Sequence, residues 1–344
     1  MSEKTETIAV VLAGAVARGA FEAGVIRALA DADVKIVRII AASAGALNGT
    51  VLASSVRGRS IRAGAEALHV LWRDQATWSK VFHPSLRDIL ARDGFSDQKQ
   101  LLALLRKHVP PSQPADPADI NLRIVVAPLN GCPGSVGQHP ATTFESICDF
   151  NTTAFASSEA LDPVFAAATA SAGLPIAFAP VDIDGLGPCI DGGMVNNTPM
   201  KWALDGSVGA QVDAIVVVAT SVELSTEPAT DLGALGMVGH FAEMLIDERL
   251  YRDLREATQV NDTLVRLDAL VQNGVLDRAQ HARVMGALGW TSRRMVQIVQ
   301  IRPTVALRGT AFAGFFHADI RSEQLDAGFA RGQEVLRALG WSSV

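Results

Sequence analysis

The sequence predicts an α/β fold built on a mainly parallel sheet, and three observations predict it. The first 56 residues read as strand, helix, strand, helix, and that alternation places helices on the faces of a parallel sheet. Further short apolar runs, Leu122–Ala127, Asp213–Thr220 and Met295–Ile301, are set apart by helical stretches. The 344 residues are 49% hydrophobic but only 6% aromatic, with a single Tyr, so the core must be built from Ala, Val, Leu and Ile.

The elements follow in chain order. Thr7–Leu12 is a short β-branched run, and Ala13–Gly19 is a loop of small residues. Ala20–Ala32 carries Phe21, Val25, Ile26 and Leu29 at helical spacing. Val34–Ile40 is a second strand, ending in Ala41-Ala42-Ser43-Ala44-Gly45, and a small-residue helix follows to about Val56. Residues 60–108 read as helical, with Trp72, Trp78, Phe82 and Phe95 among them. Pro110, Pro111, Pro114 and Pro117 mark an exposed connection. Leu122–Ala127 is a buried strand, and Ser158–Ala170 a small-residue helix. Val181–Gly193 reads as a hairpin around Asp184-Gly185. Asp213–Thr220 is the longest β-branched run and is expected to be a central strand. Beyond Ser221, residues 231–290 are mostly helical, Met295–Ile301 is one more strand, and Asp319–Leu339 is a C-terminal helix. We expect a core over 1–220, with a candidate cap at 57–110, and a mainly helical extension over 221–344 packed on it.

Composition excludes several classes. A chain this apolar is not a disordered segment. Three Cys (132, 148, 189) are too few for a disulfide scaffold and point to free thiols in a reducing compartment. The net charge of −6 carries no nucleic-acid footprint. Two uncharged stretches, Ile39–Val56 and Pro163–Val181, approach the length of a membrane span, but polar residues, Gly and Pro interrupt both. The N-terminus has acidic residues where a signal peptide is basic, so no export signal is expected. No Cys/His spacing fits zinc and no acidic loop fits calcium, so neither metal nor cofactor is expected.

The chemistry centres on Ser43, at the apex of a strand-to-helix turn. A nucleophile there protrudes from the sheet edge, and the helix N-terminus behind it favours developing negative charge. Ala44 and Gly45 keep the turn tight, as in a G-x-S-x-G elbow, although Ala41 replaces the first glycine. S-x-G recurs at Ser135, Ser171 and Ser207, but none of these follows a buried strand and opens a helix. A serine needs a base. Asp191 is the candidate, because Gly192 and Gly193 after it permit a close approach. The loop Ala13–Gly19 offers backbone N–H groups to an oxyanion; it lacks the G-x-G-x-x-G pattern of a dinucleotide loop.

Taken in order, these blocks resemble the patatin-like phospholipase family. Leu12–Phe21 is similar to its glycine-rich loop with Arg-Gly, Ala41–Asn48 to its nucleophile elbow, Ala170–Val181 to its Ala-Ser…Phe-x-Pro-Val block, and Asp191–Pro199 to its Asp-Gly-Gly/Ala block with the following Asn-x-Pro. The resemblance covers roughly 7–220. It implies a three-layer α/β/α fold and a Ser–Asp dyad in which Ser43 attacks an ester carbonyl and Asp191 takes its proton. The amides around Gly14, Ala15 and Val16 would hold the oxyanion, with Arg18 and Gly19 completing the loop. Phospholipids, lysophospholipids or other acyl esters are the implied substrates, for a cytoplasmic protein with peripheral membrane contact; no nucleic-acid partner is implied, and the oligomeric state is not indicated.

The departures matter. Where the family usually has three glycines, this chain has Gly14-Ala15-Val16. A β-branched residue does not readily take φ > 0, so a distorted oxyanion hole and low or selective activity are expected. The order Ser43…Asp191…His317 also suits an α/β-hydrolase triad, but that fold places its serine after several strands. Acyl transfer from an acylated Ser43 is a second reading, although acyl-carrier-protein transferases of this fold use a histidine partner. A lipid-sensing module with a degraded site is the third.

Overall fold

The computed structural model describes residues 6–32, 34–56, 61–82, 96–111, 120–136, 139–175, 177–204, 212–222, 234–291 and 294–341. Ten strands are assigned among them: β1 (Thr7–Leu12), β2 (Lys35–Ala41), β3 (Asn121–Pro128), β4 (Cys132–Val136), β5 (His139–Thr143), β6 (Ser146–Asn151), β7 (Val181–Ile183), β8 (Gly187–Asp191), β9 (Ala214–Val218) and β10 (Gln297–Ile301). The main sheet runs β10-β9-β1-β2-β3-β8-β7, with β6 also paired to β3. From β10 to β3 all pairings are parallel. The β3–β6, β3–β8 and β7–β8 pairings are antiparallel.

Strand sequence explains the layering. β1 and β9 are buried from Ile8 to Leu12 and from Ala214 to Val218, as expected of parallel strands covered on both faces. Alternate residues of β1 serve opposite cores. Ile8, Val10 and Leu12 face one that includes Phe21, Leu29, Leu52, Phe165 and Leu325; Ala9, Val11 and Ala13 face one that includes Met200, Leu250, Leu254 and Ala257. Helices therefore cover both sides of the sheet, giving the three-layer α/β/α fold.

Helices α1 (Gly19–Asp31), α2 (Ala44–Val56) and α3 (Ile61–Val70) follow the first two strands. A short 3₁₀ turn, Val16–Arg18, closes the loop before α1. The expected helical region 60–108 is interrupted. After α3 comes a π-type turn at Leu71–Gln75, closed by the Ala76 N–H donating to Leu71 O at 2.8 Å, then α4 (Trp78–Val81) and α5 (Lys99–His108). Of the candidate cap, 57–60 and 83–95 lie outside the described residues, as do Phe95 and Ser207. Helix α6 (Ser158–Ser171) agrees with its sequence pattern, and β7–β8 form the hairpin around Asp184-Gly185.

Three strands were not expected: the β4–β5 hairpin and β6, all between Ala127 and Ser158. The short helices α7 (Gly193–Asn196) and α8 (Lys201–Leu204) come after Asp191. Past residue 221 lie α9 (Ala234–Gln272), α10 (Arg278–Ala287), β10, α11 (Ala313–Phe316) and α12 (Ala318–Ala338). β10 is an edge strand of the main sheet, so residues on both sides of position 220 build one sheet.

Candidate active site

Neighbouring parallel strands β1 and β2 end at the same edge, so the loop after β1 and the serine after β2 meet there. Ser43 sits between β2 and α2 with φ +52, a left-handed conformation that a non-glycine residue rarely holds. Its backbone is fixed from two sides: the Ser43 N–H donates to Ser171 Oγ at 2.9 Å, and the Ala42 N–H donates to Leu12 O at 3.1 Å. Gly45 follows where a Cβ would strike the Leu12 carbonyl, so the tight turn needs that glycine.

Asp191 ends β8 and is 1% exposed; Ser43 is 6% exposed. The Ser43 hydroxyl donates to Asp191 Oδ2 at 2.8 Å, and the Gly193 N–H donates to Oδ1 at 2.7 Å. The Asp191 N–H is itself held by Gly173 O at 3.1 Å. Ser171 and Gly173 belong to one sequence block, which therefore orients both members of the pair. Burial pushes the Asp191 carboxyl up to about 7, with the hydrogen bonds from Ser43 and Gly193 opposing it.

The β1 loop presents fewer free amides than its sequence suggested. The Gly14 N–H donates to Asn197 O at 3.1 Å, so Gly14 is not a spare oxyanion donor. Asn197 grips the same residue a second time, Nδ2 donating to Gly14 O at 3.1 Å. A Cβ on Gly14 would overlap Asn197 Oδ1 and come within 2.8 Å of Ser43 Cβ, which explains the glycine. The amides of Ala15 and Val16 have no hydrogen-bond partner among the described residues. Val16 has φ +52: the valine does take the left-handed conformation that its branching disfavours. Arg18 reaches away to the C-terminal segment, Nη2 donating to Gly309 O at 3.1 Å, and the Ala17 N–H donates to Ala311 O at 3.0 Å. Gly19 opens α1 against the Trp72 ring, with no room for a Cβ.

Ser43 lines an apolar cavity of about 60 Å³. Its walls include Val16, Leu47, Trp72, Phe82, Leu105 and Phe178. The candidate cap at 57–110 offers Trp72, Trp78, Phe82 and Leu101–Leu105 as apolar residues. Of these, Trp72, Phe82, Leu101, Leu104 and Leu105 line the cavity.

A buried polar network backs that wall. Trp72 Nε1 donates to Asn48 Oδ1 at 2.7 Å, while Asn48 Nδ2 donates to Glu22 Oε2 at 2.8 Å and to Gly19 O at 3.0 Å. Burial holds the Glu22 carboxyl well above the usual carboxylate range, despite hydrogen bonds from Asn48 and the Ala13 backbone. On the opposite flank, Glu145 accepts from Asn196 Nδ2 at 2.8 Å and from Trp202 Nε1 at 2.7 Å, anchoring the segment after Asp191. His317 is exposed at the junction of α11 and α12, and the Asp191 oxygens are occupied by Ser43 and Gly193. Sequence reasoning missed Ser171, Asn197 and the Glu22 network as site residues. Ser171 and Asn197 lay inside blocks that it had singled out.

A largely parallel sheet with helices on both faces and a buried serine–aspartate pair beyond β2 describe an α/β protein of the acyl-hydrolase kind. The patatin-like phospholipase family model matches residues 10–204, more than half of the chain, and the chain belongs to that family. It is a family of lipid acyl hydrolases. A comparison with curated proteins found no match. Among solved structures the chain is similar to VipD from Legionella pneumophila at 14% identity and a TM-score of 0.42, covering 97% of this chain and 67% of that one. It is also similar to the ExoU–SpcU complex from the type III secretion system of Pseudomonas aeruginosa, at 12% identity and a TM-score of 0.38, covering 97% of this chain and 52% of the other.

Proposed function

We propose that the protein is a serine esterase that cleaves carboxylic esters of phospholipids or lysophospholipids through an acyl-Ser43 intermediate. The observation that carries this reading is the 2.8 Å hydrogen bond from Ser43 Oγ to a buried Asp191, at the base of an apolar cavity. Asp191 takes the hydroxyl proton as Oγ attacks the ester carbonyl, then returns it to the departing alcohol. Water, activated by the same carboxylate, deacylates the serine. A solvated aspartate is a poor base for a hydroxyl; a carboxyl raised to about 7 is a better one, half ionised near neutral pH. The Ala15 and Val16 amides are the proposed oxyanion donors, next to the N-terminus of α2. The acyl chain lies along Leu47, Trp72 and Phe82, so Trp72 and Phe82 of the candidate cap supply one wall of the acyl site.

The left-handed Val16 favours this reading over that of a degraded lipid sensor, because the valine takes the positive φ that its branching was expected to block. No step calls for a metal, and hydrolysis is expected to persist in EDTA. The test is fluorophosphonate labelling together with a lipid-class hydrolysis panel. Wild type is expected to label and to release fatty acid; Ser43→Ala is expected to do neither. Wild type that stays unlabelled and inactive on every short and long acyl ester overturns the proposal. Transfer of the acyl group to an added alcohol or thiol in preference to water would favour the acyltransferase reading.

A further inference from the structure

Four aromatic rings run in a continuous stack from the cavity to the surface. Phe178 stacks on Phe82 with centroids 5.0 Å apart, Phe82 on Trp78 at 4.1 Å, and Trp78 on Phe316 at 4.8 Å. Phe315 meets Phe82 edge-on at 5.5 Å, with Phe312 beside it at 6.4 Å. The inner rings, Phe82, Phe178 and Phe315, line the Ser43 cavity. The outer ones face solvent: Trp78 is 37% exposed, Phe312 39% and Phe316 58%. Packing that leaves one Trp and two Phe in water, beside an apolar opening, marks a contact surface.

We propose that Trp78, Phe312 and Phe316 form the face by which the protein docks on a zwitterionic lipid surface, delivering an acyl ester directly to the cavity mouth. This rests on the proposed esterase function and names where its substrate is met. Three features favour a lipid surface over a protein partner or a second copy. The patch is continuous, ring against ring, with the wall of the apolar cavity that holds Ser43. Indole and phenyl groups are the side chains that settle at a bilayer interface. Among the described residues, the exposed charges flanking the patch in the chain are balanced. Arg73 pairs with Asp74, Arg308 pairs with Asp319 and Glu323, and Lys80 donates to the Asp74 carbonyl. Three cations against three carboxylates give no net attraction for an anionic bilayer, so docking draws on apolar burial and not on counterion release. α11 carries Phe315 and Phe316 and follows directly on Gly309 and Ala311, which hold Arg18 and Ala17 of the β1 loop. Docking thus bears on a segment already joined to the proposed oxyanion loop.

Binding is measured on Ser43→Ala protein, which separates docking from hydrolysis. The protein is sedimented with phosphatidylcholine vesicles, with and without an anionic lipid. The expected result is partition little changed by anionic lipid or by salt. It should fall on the order of tenfold or more when Trp78→Ala and Phe316→Ala are combined, since two aromatic side chains leave the interface. Phe316→Ser alone, at the most exposed position, should give a smaller loss with an unchanged melting temperature. Phe144→Ala, an exposed Phe elsewhere, should give none. With Ser43 restored, the double variant should hydrolyse a soluble short-chain ester within about twofold of wild type but lose activity on vesicles. Equal partition of the double variant and its parent overturns docking. So does an equal loss for Phe144→Ala, or a switch from dimer to monomer in the double variant with no vesicle binding in either form. Vesicle binding without any Ser43-dependent hydrolysis overturns the esterase reading instead.

Discussion

At the residue scale, the Ser43–Asp191 pair sets function against stability. The native Asp191 carboxyl titrates near 7, while an aspartate in the unfolded chain titrates near its ordinary value of about 3.9. Between those pH values the native state binds the extra proton, so its contribution to stability is full below about 4 and is lost as pH rises through 7. Each unit of difference is worth about 1.4 kcal/mol. We expect Asp191→Asn, whose amide can accept from Gly193 and donate to Ser43, to match wild type in urea unfolding at pH 4 and to exceed it by a few kcal/mol at pH 8. Catalysis runs the other way: kcat/KM of wild type should climb with pH through about 7, and the Asn variant should stay flat and low. Wild-type activity independent of pH between 5 and 8 would remove Asp191 as the base. Val16 poses the second question at this scale. If the valine distorts the oxyanion loop, Val16→Gly should raise kcat by the 10²–10³ that one donor is worth in order of magnitude. Because Val16 already holds φ +52, we expect a change of only a few-fold, read from kcat on a short-chain ester. The proximity of Ser43 and Asp191 was legible in the sequence because the serine follows a short strand and the aspartate closes one, each before small residues. The clamps Ser171 and Asn197 were not legible as such. Their partners lie 128 and 183 residues away, and neither residue type is distinctive of that role.

At the element scale, segments with a strong period were readable and those built from exposed, irregular sequence were not. β1 is a β-branched run buried on both faces, and its bounds coincide with the expected Thr7–Leu12. The β4–β5 hairpin is Cys-Pro-Gly-Ser-Val against His-Pro-Ala-Thr-Thr, with little apolar alternation to reveal it. Its pairing is local and needs no buried face. The interruption after α3 was equally hidden, because Leu71–Gln75 carries no proline or glycine to mark it. Trp72, α1 and α2 are joined through Asn48, which makes that residue a test of how the cavity wall is held. Asn48→Ala leaves Trp72 Nε1, the Gly19 carbonyl and a Glu22 oxygen without their bonds. The expected cost is about 3 kcal/mol or more, at roughly 1–3 per orphaned buried group, measured by denaturant unfolding. Glu22→Gln keeps the shape of a carboxyl that burial already disfavours as an anion, and is expected to stay within about 1 kcal/mol of wild type at pH 7. A Glu22→Gln variant as unstable as Asn48→Ala would mean that the native carboxyl is charged.

At the scale of the whole molecule, the family match ends at residue 204 while the sheet does not. β9 and β10 extend the parallel ladder from β1 outward, each in continuous register over its five residues. α12 closes over α1 at very short range. A Cβ on Gly24 would overlap the Leu325 carbonyl, and one on Gly328 the Phe21 carbonyl, so glycines bring the two backbones together. Arg302 is buried just past β10 and donates to Ser221 O at 3.0 Å and Val222 O at 2.7 Å. Arg321, buried in α12, donates to Arg73 O beside the cavity wall at 3.3 Å. The family match stops short of residue 220, whereas the sheet and the packing on α1 continue beyond it. We expect a chain cut at Val222 to lose cooperative unfolding, because the cut strips the outer edge from β9 and uncovers the face of α1 that carries Ala20, Phe21 and Gly24. Circular dichroism on heating should show a broad, shallow change where the full chain gives one sharp transition, and the fluorophosphonate probe should not label Ser43. A truncated protein that melts sharply and labels at the wild-type rate would instead make 221–344 a separable extension. Substitution of Gly328 by Leu in the full chain supplies the complementary measurement. It keeps every residue of the sheet and the site, yet forces α12 away from α1. A melting temperature lowered together with the labelling rate would show that the C-terminal helix helps to hold the β1 loop against Ser43, through the same segment that binds Arg18 and Ala17.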